Sequence, residues 1–154
     1  PTKMTGRFIE SLDCNYKSGL KGCTTQGAVD SFGPGLNKKG GGVFALLWTN
    51  TEISVWHWSR EQIPPNILSG LAPDPRQWGL PVSYFPLGNN CSPRNFQDHR
   101  LVLNTTFCGD WAGPEFVGPT GRGVDACRRY VKGYPKEFAN AYWDINYIRA
   151  YQAQ

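Results

Sequence analysis

No apolar stretch in this 154-residue chain approaches the roughly 20 residues that a membrane-spanning helix requires, so no membrane partner is expected. Charge of one sign is also sparse. The formal net charge is +4, and outside the group Arg122, Arg128, Arg129, Lys132 and Lys136 the cations are scattered. Nucleic-acid surfaces combine a basic stripe with stacking aromatics; without that interleaving the group reads as solvated surface, and no nucleic-acid partner is expected. There is no Cys-x-x-Cys pair, no metal-ligand spacing, no Gly-rich phosphate loop and no Ser/His/Asp or Cys/His arrangement. No metal and no cofactor are therefore expected. The chain starts at Pro1, with neither an initiator Met nor a charged-then-apolar leader, and a processed or truncated product is therefore expected.

What is abundant is turn formers and rings. The chain has 18 Gly and 12 Pro, too many for a helical protein, and 6 Trp, 7 Tyr and 8 Phe to fill a core or build a platform. Five cysteines, Cys14, Cys23, Cys91, Cys108 and Cys127, are loosely spaced, as in a disulfide framework. Two sequons, at Asn90 and Asn104, are candidate glycosylation sites and fit an extracellular protein. Cys14 and Cys23 flank a short loop that a disulfide would staple. The odd count leaves at least one of Cys91, Cys108 and Cys127 unpaired or bonded outside the chain.

Period-two patterning predicts strands at 4–11, 42–48, 52–58, 100–107 and 142–151, with a short one at 83–85. Thr49-Asn50-Thr51 joins the second and third as a hairpin, which puts Ile53, Val55 and His57 on one face and Glu52, Ser54, Trp56 and Trp58 on the other. Residues 31–42 read as loop, 66–83 hold too much Pro for a long helix, and 138–141 suit a single helical turn. Short strands, long loops and no helix of normal length predict an all-β chain, an antiparallel sandwich of the jelly-roll (concanavalin-like) kind. The strands are too few to close two sheets, so about half of such a sandwich is expected.

The chemistry-bearing motifs are few. Phe107-Cys108-Gly109-Asp110-Trp111-Ala112-Gly113 follows a predicted strand, and its loop could hold Trp111 as a platform for the C–H face of a sugar, with Asp110 beside it for hydroxyls. Trp111 as a packed rim residue is the competing account. Trp56 and Trp58, two positions apart on one strand and about 7 Å apart, could line a groove or fill a core. His57, on the apolar face, is read as structural. A glycosidase needs two carboxylates flanking the scissile bond. Glu10, Asp13, Asp98, Asp110 and Glu115 do not supply such a pair on one strand, so no catalytic residue is expected in this chain.

Five blocks together resemble the fungal laminarinase branch of glycoside hydrolase family 16: 40–48, 53–60 with Ile63-Pro64, 78–86, 107–113, and 138–145 with Tyr151. The resemblance implies a β-jelly-roll with a sugar cleft on its concave sheet and retaining hydrolysis of β-1,3 or mixed β-1,3/1,4 glucans. It also implies that residues 1–154 are the carboxyl-terminal part of one domain. The family's E-x-D-x-x-E strand, carrying nucleophile, assisting acid and general acid/base, would lie before Met4. A family cysteine shortly before Pro1 would account for the odd count. Trp111 matches the family's Trp beside the cleft, with Asp110 and Arg60 as weaker matches; Leu46-Leu47 stands where the family often carries a charge. Two functions follow. The chain is one piece of a secreted (extracellular or cell-wall) endo-β-1,3(4)-glucanase whose amino-terminal fragment is its partner, or it is a non-catalytic β-glucan-binding module using Trp111.

Overall fold

Glycine at position 42 lets two strands approach where a side chain would not fit. A Cβ there would overlap the carbonyl oxygen of Trp58 and sit 3.0 Å from Nε2 of His57. This close approach opens the longest ladder in the computed structural model, which describes residues 2–9, 23–105 and 107–152. Strands β1 (Arg7–Ile9) and β2 (Thr24–Gln26) form one antiparallel pair. Strands β3 (Gly42–Trp48), β4 (Glu52–Ser59) and β5 (Ser83–Pro86) form an antiparallel sheet in the order β3-β4-β5. The hairpin is held at its turn by Thr49, whose hydroxyl accepts from the backbone N–H groups of Thr51 and Glu52, each at 3.1 Å.

The register pairs Phe44 with His57, Leu46 with Val55 and Ile53 with Phe85. Ile53, Val55 and His57 therefore share a face, as the alternation predicts. The opposite face, with Ser54, Trp56 and Trp58, packs under the Pro-rich segment that follows β4. There Trp78 meets both indoles edge-on, at 5.2 and 5.5 Å between ring centroids. A short helix, α2 (Pro65–Ser69), buries Ile67 in the same segment.

Two compact units emerge, one ending at Asp98 and one beginning at His99. The second unit, by itself, is built on helix α4 (Gly123–Gly133), with α3 (Ala112–Glu115) and a small ribbon, β6 (Val117–Gly118) and β7 (Gly121–Arg122). Its core is Ala126 and Cys127, both buried, ringed by Phe116, Tyr130, Tyr134 and Phe138.

Several expectations need correction. The segment 31–42 is not all loop: Gly33–Lys38 forms helix α1, nucleated by Pro34 in its first turn, where the missing N–H costs nothing. The 11-residue α4 contradicts the expected absence of a normal helix. Its apolar positions Val124, Cys127, Tyr130, Val131 and Tyr134 recur at helical spacing, a signal that its Arg and Lys residues mask. The helical turn falls at Pro135–Phe138 rather than 138–141. Most importantly, neither 100–105 nor 142–151 belongs to any strand. Alternation marks a segment suited to a half-buried strand, but a strand exists only with a ladder partner, and among the described residues neither segment has one. Leu101, Val102, Leu103, Tyr142, Trp143, Ile145 and Ile148 are exposed accordingly. The first strand is Arg7–Ile9, and the remainder of the expected 4–11 run past Ile9 lies outside the described residues.

Candidate functional site

Backbone turning and one covalent clamp place the most exposed indole of the chain's candidate set. Trp111 stands at the amino-terminal cap of α3, and the N–H of Gly113 reaches back to the carbonyl of Gly109 at 2.9 Å, closing the turn beneath it. Gly113 is buried; a Cβ there would lie 2.9 Å from the Cys108 carbonyl oxygen and 3.2 Å from Val124. The loop is thus pressed against α4 and tied to it by the Cys108–Cys127 disulfide. Phe107 packs edge-on against Phe138 at 5.2 Å. On this fixed base Trp111 is 72% exposed, and Asp110 beside it is exposed as well. An indole on an anchored backbone and open on its face suits the apolar C–H surface of a sugar ring.

The tryptophans of β4 are placed differently. Trp56 is 5% exposed and its Nε1 donates to the Gly79 carbonyl at 3.1 Å. Trp58 is half-buried against Trp78, whose own Nε1 donates to Asn66 Oδ1 at 2.8 Å. Trp78 and Asn66 are the residues that sequence reasoning assigned no role, and their signal was only a Trp among prolines. Arg60 follows β4. Its Nε donates to the Gly40 carbonyl at 2.5 Å and its backbone N–H to the Gly41 carbonyl at 3.2 Å, so it is folded onto the glycine turn that precedes β3. Gly40 and Gly41 both have positive φ, 75° and 87°, which a side chain would strain.

His57 lies across from Phe44, ring centroids 4.5 Å apart, and its Nε2 is buried without a hydrogen-bond partner. Burial, and secondarily the positive charge of Lys39, push its pKa below 6.5. The neutral form is therefore the native one. Because the folded value is depressed, this contribution is complete above the unfolded value near 6.5 and is lost as pH falls through it toward the lower folded value. The thermal midpoint of the first unit is expected to fall between pH 7.5 and 5 in the wild-type chain and to flatten over that interval in His57→Phe. Parallel curves for the two proteins would assign the acid sensitivity elsewhere.

The described carboxylates that form ion pairs do so with nearby cations. Asp74 holds Arg76 in a two-point contact, at 2.9 and 3.0 Å, and that hydrogen bonding lowers its pKa to about 2. Asp30 pairs with Lys39 at 2.8 Å and Asp125 with Arg128 at 3.6 Å. Among the described residues no group of three His, Cys, Asp or Glu side chains could hold a metal ion. Cys23 is disulfide-bonded, the expectation for Cys14 falls outside the described residues, and Cys91 is a free thiol. Asn90 and Asn104 are both exposed.

The sequence profile described as "XgeA-like, catalytic GH16 domain" matches residues 2–151. A probable endo-1,3(4)-beta-glucanase of Aspergillus fumigatus is 39% identical over 97% of this chain, which spans 23% of that relative. The endo-1,3(4)-beta-glucanase xgeA of Emericella nidulans is 38% identical over 97% of this chain, and the chain spans 24% of it. Among solved structures, an elongating GH family 16 beta-1,3-glucosyltransferase superposes with a TM-score of 0.79 at 35% identity, over 92% of this chain and 48% of that one. Laminarinase 16A from Phanerochaete chrysosporium, solved with two beta-glucans in its donor and acceptor sites, gives 0.70 at 33% identity, over 93% and 49%. The chain thus spans about a quarter of the curated relatives and about half of the solved ones, whose fold is the jelly-roll sandwich.

Proposed function

The chain belongs to the XgeA-like catalytic domains of glycoside hydrolase family 16, and on that premise we propose that it is the carboxyl-terminal part of a secreted endo-β-1,3(4)-glucanase. The whole enzyme hydrolyses β-glucan O-glycosidic bonds with retention, and its catalytic carboxylates lie on an amino-terminal part that completes the same jelly-roll domain. The observation that supports this most is a mismatch. The family is catalytic, yet among the described strands Glu52 is the one carboxylate. Retention needs two carboxyl groups about 5–5.5 Å apart, one as nucleophile and one as acid then base. In this division of labour the present chain binds: Trp111 offers its open ring to a glucose C–H face and Asp110 accepts from hydroxyls. Cys91, free within this chain, bonds to a cysteine of the amino-terminal part.

The test is laminarin turnover by the 154-residue chain alone and after the amino-terminal part is supplied, with intact mass measured before and after reduction. No turnover by the chain alone and turnover by the assembly are expected. Hydrolysis by the isolated chain, abolished by changing one Asp or Glu, would sink the proposal. Glucan binding by the assembly without turnover would favour the binding-module account. In the assembly, Trp111→Ala is expected to weaken glucan binding by ~1–3 kcal/mol, the scale of a lost aromatic stacking contact, and to leave the melting temperature nearly unchanged because the ring is exposed.

A further inference from the structure

We propose that the outer face of α4 binds an acidic polysaccharide, one that carries carboxylates on its sugar rings, at a site separate from Trp111. Residues 122–136 hold Arg122, Arg128, Arg129, Lys132 and Lys136 against the single carboxylate of Asp125, so this span carries as much net charge as the whole chain, +4. An uncharged β-glucan gives that charge nothing to neutralise. What the sequence spreads out, the fold gathers. Asp125, Arg128, Arg129 and Lys132 recur at the three- and four-residue steps that share one side of a helix, away from the buried Ala126 and Cys127. Arg122, at the amino-terminal cap, and Lys136, in the turn Pro135–Phe138, flank this stripe, and all five cations are exposed.

Internal contacts do not use up the stripe. Arg128 meets Asp125 at 3.6 Å and Arg129 donates to the Thr120 carbonyl at 3.0 Å, whereas Arg122, Lys132 and Lys136 have no ion-pair partner among the described residues. A helix dipole favours a cation in the last turn, which accounts for Lys132 alone. The end of the stripe singles out a sugar polymer. Tyr134 is 43% exposed, its ring stacks on Tyr130 at 5.0 Å between centroids, and it lines a cavity of about 280 Å³ with Gly133, Pro135, Lys136 and Glu137. A ring backed by another ring offers its free face to the C–H surface of a sugar. Glu137 lines the same cavity, so the cavity takes the ring and the stripe takes the charge. Arg128 and Lys132 lie one turn apart, ~6 Å along the axis, a spacing that a polymer with one carboxylate per sugar can follow. Single-stranded nucleic acid calls for several rings interleaved with the cations, and here one ring stands at one end.

The probe is polygalacturonate, titrated into the 154-residue chain, with laminarin as the neutral polymer and a DNA duplex as a second polyanion. Saturable binding of polygalacturonate is expected, insensitive to laminarin and weakened at least ~10-fold between about 50 and 200 mM salt as counterions compete. Lys132→Gln with Lys136→Gln is expected to weaken it ~10-fold or more, while Lys132→Arg with Lys136→Arg retains it. Both lysine pairs should melt as the wild type does, since the side chains are exposed. Tyr134→Leu, which keeps an apolar side chain against Tyr130, is expected to weaken binding per folded molecule ~5-fold or more, and Trp111→Ala to leave it unchanged. Absence of binding, binding indifferent to the glutamine pair or to Tyr134→Leu, an arginine pair that behaves as the glutamine pair does, competition by laminarin, loss in Trp111→Ala, or a DNA duplex bound as tightly would each overturn the proposal.

Discussion

Trp56→Ala is expected to cost about 3–5 kcal/mol of stability, the range for loss of a large aromatic side chain from a core. Trp56 is 5% exposed, and its removal opens a cavity beneath Trp78, whose ring meets it edge-on. The Gly79 carbonyl loses its Nε1 donor as well. Trp56→Phe separates the two effects: it keeps most of the buried ring volume and drops the donor, so a cost of about 1–3 kcal/mol is expected from the unsatisfied carbonyl and the smaller ring. Urea unfolding followed by tryptophan fluorescence, with Trp111→Ala as a surface reference, measures all three. A Trp56→Ala cost below about 1 kcal/mol would show that the indole faces a cleft and not a core.

This contrast between two tryptophans marks what the sequence makes legible. The hairpin and its faces are readable because Ile53, Val55 and His57 alternate with Ser54, Trp56 and Trp58, and period two has no other solution in an antiparallel ladder. What covers each face is not local. Trp78 comes from a Pro-rich segment with no periodicity of its own, yet it decides that Trp56 is core. The stretches 100–105 and 142–151 show the converse. Their alternation is real, but a strand is a relation between two segments, and among the described residues no sheet includes them. Helix α4 was obscured for another reason: Gly123, with φ of 81°, begins it, and Arg128, Arg129 and Lys132 dilute its apolar stripe. Trp111 was legible as a candidate because glycines flank its loop, whereas the disulfide that fixes the loop could not be assigned from cysteine count alone.

Removing that disulfide is expected to have the largest effect on the second unit. Cys108 and Cys127 are 19 residues apart in sequence, and closing a loop of that size lowers the entropy of the unfolded chain by an amount worth about 3 kcal/mol in the chain-entropy account. The unit has little else to hold it. Among its described residues the buried hydrophobic ones are Ala126 and Cys127, its helix α3 is a single turn, and its ribbon has two residues per strand. The double variant Cys108→Ala, Cys127→Ala avoids stranding a thiol in the core and is expected to free the Trp111 loop from α4. Limited proteolysis should then cut between residues 107 and 123, and amide exchange in α4 should accelerate, while the β3–β4 hairpin keeps its protection. In the proposed assembly, glucan affinity should fall at least as far as in Trp111→Ala, because the proposed platform, once its loop is not held, pays an ordering cost on binding. If the double variant instead keeps α4 protected and loses less than about 0.5 kcal/mol, the aromatic ring of Phe116, Tyr130, Tyr134 and Phe138, and not the disulfide, holds this unit together.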